Sequence, residues 1–256
     1  MIKKLLLSIL VASIAWASGG GYQQPAFTSP KNFSGLNFLF QSDNPASITV
    51  ATGVSQWNDL SVNGFHATQG TGANQPVTGV DTINGRNVLK FTNASQQYLL
   101  FNGTMRPNTL GMVWKSAATP WADFYGVISA RASAATITSN GAYNAGMQGI
   151  SASTNICGIG QSSVSAYVDG VSVNAANFDS FLTGVSSSPI TSAHTFIYTD
   201  DIAAAGSMFY AIGVDVFAAT RAISGNIGDL WSYDIAMSPL QIVILQNYEK
   251  YRWNTP

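Results

Sequence analysis

Charge is scarce in this chain. Of 256 residues, 9% are Asp, Glu, Lys or Arg, well under the usual quarter. The formal net charge is -1, and no run of Lys or Arg is present that could track a phosphate backbone, which excludes nucleic acid as a partner. Cysteine is nearly absent. Cys157 stands alone, so no internal disulfide can form and the fold must stand on packing. Between Ile156 and Gly158 it reads as a small apolar core residue and not as a nucleophile. Glutamate occurs once, as Glu249. Retaining glycoside hydrolysis uses two carboxyl groups ~5 Å apart, and no pair of glutamates exists to supply them. Asp200-Asp201 is the only adjacent acidic pair, and neighbours on a strand point to opposite faces. Histidine occurs twice, as His66 and His194, too few for a His-rich zinc site. His66 lies in a turn motif and reads as structural, and a Cys157–His194 nucleophilic pair has no local signature. Nucleophile-elbow, P-loop and dinucleotide glycine patterns are all missing. The expectation is a protein that is not an enzyme.

Apolar residues are plentiful, at 46%, so a sizeable core is available and disorder is excluded. With little charge to cover it, the surface must be built from Ser, Thr, Asn, Gln, Ala and Gly. Such a neutral polar surface suits extracellular and virion proteins and hydroxyl-rich ligands. The first residues carry the pattern of a secretory signal: basic Lys3 and Lys4, an apolar stretch over 5–14, and Ala15-Trp16-Ala17 before Ser18. The apolar stretch is shorter than the ~20 residues of a membrane span. Residues 1–17 are therefore expected to be a signal peptide or, if retained, an N-terminal anchor. Residues 18–34, with a triple glycine and Pro25 and Pro30, read as a linker or arm. Residues 35–256 read as one domain.

Within that domain, short apolar runs alternate with Gly, Asn, Asp and Ser. Residues 36–40, 88–91, 98–101, 110–114, 127–130, 166–168, 195–198, 208–216 and 227–233 each read as a strand. Many short strands with turn signals between them predict a two-sheet antiparallel sandwich and not βαβ units. One helix is predicted near the C-terminus. Ser238 is its N-cap, Pro239 its first residue and Gln241 the partner in a capping box. Leu240, Val243, Ile244, Tyr248 and Tyr251 recur on one face, widened by Ile242 and Leu245, so the helix should wedge against a sheet.

Four motifs stand out. Residues 54–69 read VSQWNDLSVNGFHATQ: a strand end with Trp57 large enough to plug the sandwich, then a turn in which Asp59 and Ser61 bond nearby N–H groups and Asn63-Gly64 reverses the chain. Residues 83–91 read INGRNVLKF, an Asn-Gly turn followed by an alternating strand. Residues 165–173 read SAYVDGVSV, two strands around an Asp-Gly hairpin turn. Residues 225–237 read GNIGDLWSYDIAM, a final strand leading into the capped helix. In this order the four resemble the laminin-G-like jelly-roll domains of the concanavalin-A-like lectin and glucanase superfamily. Trp57, Asp59, Asn63, Gly64, Asn84, Gly85, Phe91, Tyr167, Asp169, Gly170, Asp229, Tyr233 and Asp234 fill the family's places. The resemblance implies an all-β, two-sheet antiparallel jelly roll with one C-terminal α-helix. It implies no single function, since one sandwich hosts many unrelated sites. The E-x-D-x-x-E strand of the superfamily's glycoside hydrolases is missing here.

The candidate ligand-binding residues are aromatic. Trp121, Asp123 and Tyr125 lie in a run, TPWADFY, between Thr119 and Gly126; Tyr143 and Asn144 form a second, weaker candidate. Sugar rings stack on aromatic faces while Asp or Asn takes their hydroxyls, a mixture common in small-ligand pockets. The alternative is that these rings cover the end of the sandwich. Asp200 and Asp201, in TDDIAAAGS, are the candidate calcium ligands, with a solvated turn as the alternative. Two functions follow. One is a secreted, extracellular, lectin-like module whose partner is a glycan or cell-surface polysaccharide. The other is a structural or adhesion component that docks on neighbouring subunits of a virion surface or bacterial surface assembly.

Overall fold

The computed structural model describes residues 28–117, 126–131, 147–148, 165–173, 192–199, 207, 209–214 and 222–256. Among these, two seven-stranded antiparallel sheets face each other. The first runs in the order β1 (Leu36–Gln41), β16 (Gly225–Tyr233), β9 (Thr109–Ser116), β14 (His194–Thr199), β12 (Ser165–Val168) and β13 (Val171–Val173). β7 (Leu89–Phe91) joins this sheet by pairing with the start of β16. The second runs β11 (Met147–Gln148), β10 (Gly126–Arg131), β15 (Phe209–Ile212), β8 (Leu99–Phe101), β4 (Ala67–Thr68), β3 (Val54–Trp57) and β2 (Ile48–Val50). A small hairpin, β5 (Thr82–Ile83) with β6 (Arg86–Asn87), stands apart, and the helix α1 spans Pro239–Trp253. The chain is a β-sandwich of two antiparallel sheets with a C-terminal helix, as the strand pattern predicts.

Alternation explains the layers. Along β1, β9 and β14 every second residue points inward, so Phe38, Phe40, Met112, Trp114, Phe196 and Tyr198 meet Trp57, Phe101 and Tyr210 from the opposite sheet. The indole of Trp57 is fully buried and stacks on Phe40 at 4.9 Å between centroids. Phe38 and Phe101 lie 5.0 Å apart. The first sheet is buried on its outer face as well, where Leu39, Ile197, Trp231 and Tyr233 meet Ile242 and Leu245 of α1. All nine residues of β16 are therefore buried. Close approach requires glycine here: a Cβ on Gly111 would run into the Trp231 ring.

The turns form where the sequence predicts them. Asn84-Gly85 and Asp169-Gly170 both take left-handed backbone, with φ of 49° and 81°, and 48° and 88°, as tight hairpin turns demand. Helix α1 begins with the full capping box: Ser238 Oγ accepts from the Gln241 N–H, and the Gln241 side chain accepts from the Ser238 N–H. The helical face differs from expectation. Ile242, Leu245, Glu249 and Trp253 are turned to the sheet, whereas Leu240 is 70% exposed and Val243 and Tyr251 point outward. The only glutamate and the last tryptophan complete the inward stripe in place of Leu240 and Tyr251. The reason lies in partners on the sheet: Trp231 donates to Glu249, and Trp253 covers Gly228.

With Trp57 reaching from the second sheet to stack on Phe40 of the first, Trp57→Ala should cost ~3–5 kcal/mol, the range for a large aromatic cut from a core. Urea denaturation of the variant against the parent checks this.

Candidate functional site

The Asp59 turn is structural throughout. Its Oδ1 accepts from the N–H groups of Leu39 at 2.9 Å and Ser61 at 2.8 Å. Its Oδ2 accepts from Ser61 Oγ at 2.6 Å and the Phe65 N–H at 3.0 Å. The carboxylate is thus spent on local donors and ties the turn to β1. His66 belongs to the same turn, its Nδ1 accepting from the Asp59 N–H at 3.1 Å, which agrees with the structural reading. His194 meets the Asp-Gly hairpin. Asp169 lies 2.5 Å from its Nδ1 and also accepts from the Thr195 N–H, while Ser192 Oγ is 3.0 Å from its Nε2. Asp169 thereby pins the hairpin between β12 and β13 to β14.

Trp121, Asp123, Tyr125, Tyr143, Asn144, Cys157, Asp200 and Asp201 lie outside the described residues, as do residues 1–27. Among the described residues, no group of three or more His, Cys, Asp or Glu is placed to hold a metal ion. Nor, among them, is any helix long and apolar enough to cross a membrane.

Two clefts open at one end of the first sheet, and Lys115 lines both. One, of about 410 Å³, is bordered by Asp81, Lys90, Thr92, Lys115, Ser116 and Asn226. The other, of about 420 Å³, is bordered by Asn84, Lys115, Ser192, Asn254 and Thr255. Strand register builds the first. Asn226 of β16 pairs with Lys90 of β7 on one side and Lys115 of β9 on the other. Leu89, Phe91, Trp114 and Ile227 point into the core, so by alternation Lys90, Lys115 and Asn226 all point outward. They form a row across three strands.

Asp81, just before the Asn84-Gly85 hairpin, is set over this row. Its Oδ1 accepts from the Thr82 N–H at 2.8 Å, and its Oδ2 accepts from Asn226 Nδ2 at 3.1 Å. Lys90 Nζ is 3.9 Å from the same oxygen. Burial pushes the Asp81 carboxyl up, but the Thr82 N–H, the Asn226 amide and the Lys115 and Lys90 ammonium groups outweigh it, and its pKa lies below the ordinary value. Asp81 is therefore a fixed carboxylate at neutral pH. Asn226, only 5% exposed, is the orienting group.

None of these four residues was among the sequence-level site candidates. The readable signal was a charged residue inside an apolar run, VLKF and VWKS, in a chain that spends charge sparingly. What could not be read was that two such residues, far apart in sequence, share one register position.

The other acidic residues of interest are sealed away from solvent. Glu249 and Asp229 are both fully buried beneath α1. Trp231 Nε1 donates to Glu249 Oε1 at 2.7 Å, while Asp229 Oδ1 and Glu249 Oε2 are buried without a hydrogen-bond partner. Arg252 Nε donates to Asp229 at 2.9 Å and also pairs with Asp43, which in turn accepts from Arg86 at 2.9 Å. Gln41 donates to both Asp229 and the Tyr248 hydroxyl. Burial pushes Asp229 up to about 6 against the pull of Arg252, with Asp43 adding to the rise. Burial and then the Asp229 charge push Glu249 up as well.

No protein-family model and no curated protein matches the chain. Among solved structures it is similar to the Trypanosoma rangeli sialidase in complex with the inhibitor DANA, at 12% identity and a TM-score of 0.43, over 84% of this chain and 33% of that one. The chain thus spans a third of that sialidase's length. It is also similar to domain 4 of AbnA, a GH43 extracellular arabinanase from Geobacillus stearothermophilus solved with arabinotriose, at 13% identity and a TM-score of 0.44, over 82% of this chain and 98% of that domain.

The buried pair sets a pH dependence. Both carboxyls are raised above their unfolded values, so the native state holds protons that the unfolded chain releases. The contribution of Asp229 is complete below its unfolded pKa and is lost as pH rises through about 6, and that of the raised Glu249 is lost in the same direction. Stability should therefore fall by roughly 1–3 kcal/mol between about pH 5 and pH 8. Glu249→Gln keeps an acceptor for Trp231, removes the neighbouring negative charge from Asp229 and should flatten the slope. Chemical denaturation at the two pH values, on both proteins, measures the difference.

Proposed function

We propose that the protein is a non-catalytic extracellular binding module of the laminin-G-like jelly-roll kind, and that it recognises glycan at the outward cleft of the first sheet. The observation that carries this reading is the Asp81 carboxylate. It is held by Asn226 between two lysines in an open cleft of about 410 Å³, the size range of small-ligand sites. The four motifs in their family order support the jelly-roll assignment. The burial of Glu249 supports a role without hydrolysis, because the one glutamate is out of reach of any polymer. Ala117 also lines the cleft, and four residues along the chain from it comes Trp121. We keep Trp121 and Tyr125 as the proposed stacking residues, Asp123 as the proposed acceptor of sugar hydroxyls, and Asp200 and Asp201 as proposed calcium ligands.

A second reading, a subunit of a virion or surface assembly, is favoured by one feature of α1. Leu240, Val243 and Tyr251 are large apolar side chains turned away from the sheet, and such side chains gathered on one element mark contact faces.

A glycan array probed with the purified protein, with and without chelator, tests the first reading. Binding to a set of polysaccharides with no release of reducing sugar is expected. Trp121→Ala should keep the parent melting temperature and bind less; loss of calcium should weaken binding only if Asp200 and Asp201 hold the ion. A protein that binds no glycan and sediments as an oligomer would instead favour the assembly reading.

A further inference from the structure

The same cleft carries a statement about which sugars it takes, and this statement rests on the glycan-binding reading. We infer that the ligand is a neutral sugar held through two adjacent ring hydroxyls, one bridging Asp81 and Lys90 and the next reaching Lys115. The geometry begins with a gap. Lys90 Nζ lies 3.9 Å from Asp81 Oδ2, too far for a direct hydrogen bond. A hydroxyl oxygen seated about 2.8 Å from each atom, the ordinary hydrogen-bond length, spans that separation with an angle of about 90° at the oxygen. It would donate its O–H to the carboxylate and accept an N–H from the ammonium. The Asp81–Lys90 pair is thus spaced for one hydroxyl between them.

Donor and acceptor capacity narrows the choice. Asp81 is ionised and can only accept; Lys90 and Lys115 can only donate. A group that satisfies both must itself donate and accept, which a hydroxyl does and a carboxylate, sulfate or ammonium does not. Electrostatics points the same way. An oxyanion placed on Lys90 would sit beside the Asp81 charge, and a cation placed on Asp81 would sit between two lysines. Asp81 cannot swing aside to admit an anion without giving up the Thr82 N–H and the Asn226 amide that fix its two oxygens.

The second hydroxyl follows from strand spacing. Lys90 and Lys115 flank Asn226 on its two neighbouring strands, so their backbones are roughly 10 Å apart, two strand spacings. Both lysines line the cleft together with Asn226. A hydroxyl on the adjacent ring carbon, displaced by one hydrogen-bond length from the first, falls on the Lys115 side. Asn226 is a positioning residue. It lies under the row, orients the carboxylate and is itself almost wholly covered.

Affinity electrophoresis in neutral polysaccharides, in the same polymers after periodate cleavage of their adjacent hydroxyl pairs, and in uronate and sulfated polymers tests the inference. Asp81→Asn and Lys90→Met are run beside the parent, with melting temperature as the folding control. The expected result is retardation by neutral polymers that is insensitive to salt, is lost after periodate treatment and weakens about tenfold or more in each variant, as loss of a charge-assisted hydrogen bond would give. Asn226→Ala should weaken binding while Asn226→Asp, which sets a carboxylate against Asp81, weakens it further. Salt-sensitive preference for uronate or sulfated polymers overturns the inference and leaves glycan binding standing. So does binding that survives periodate treatment or both substitutions. Retardation by none of the polymers removes the glycan-binding reading together with it.

Discussion

The first sheet is covered on both faces, and most of the molecule is arranged around that requirement. A strand with one wet face can alternate polar and apolar residues. β16 cannot, since its inner side meets the second sheet and its outer side meets α1. Yet it carries Asp229 in the middle of that outer side. A buried carboxylate without partners is too costly to keep. The chain answers with Arg252 from the helix and Gln41 from β1. The same contacts settle where the helix lies. Arg252 reaches past Asp229 to Asp43, and Asn84 of the small hairpin donates to the carbonyls of Trp253 and Asn254 at the helix end. Helix, hairpin and sheet are held at one corner by polar groups laid over an otherwise apolar contact.

The cleft is a by-product of how that cover ends. Helix α1 stops at Trp253, above Gly228, and the first sheet continues beyond it to Gly225 and Ser116. The part of the sheet beyond the helix carries Lys90, Lys115 and Asn226 in place of apolar side chains, with Asn226 covered beneath Asp81. The hairpin that ties down the helix end also delivers Asp81. The same few residues therefore serve the helix end and the cleft: Asn84-Gly85 shapes the turn that places Asp81, and β16 supplies both Asp229 beneath the helix and Asn226 beneath Asp81.

The strand pattern, the Asn-Gly and Asp-Gly turns and the capping box of α1 were legible because each depends on residues within a few positions of one another. Trp57 was legible because a large aromatic beside a side-chain-bonded turn has few places to go. The face of α1 was not. Periodicity counts Leu240, Val243 and Tyr251 as apolar and Glu249 as charged, and cannot know that an indole N–H waits on the sheet for the carboxylate. The Lys90–Asn226–Lys115 row was hidden for a related reason. It is made by register between β7, β16 and β9, whose residues lie more than a hundred positions apart in places, and register is set by the whole set of pairings.

The pairing of β1 with β16 has a temporal consequence. Leu36 meets Tyr233 and Gln41 meets Asp229, so the first strand of the domain is closed by the last. Until residues beyond Tyr233 are made, β1 has no partner on that side, and the outer face of the sheet has no helix. Contacts between such distant segments form late and slowly, because the loop entropy is spent before any contact is gained. β1 and the outer face of this sheet are therefore the last parts of the described structure to be covered, after pairs such as β2 with β3 and β12 with β13 can already form.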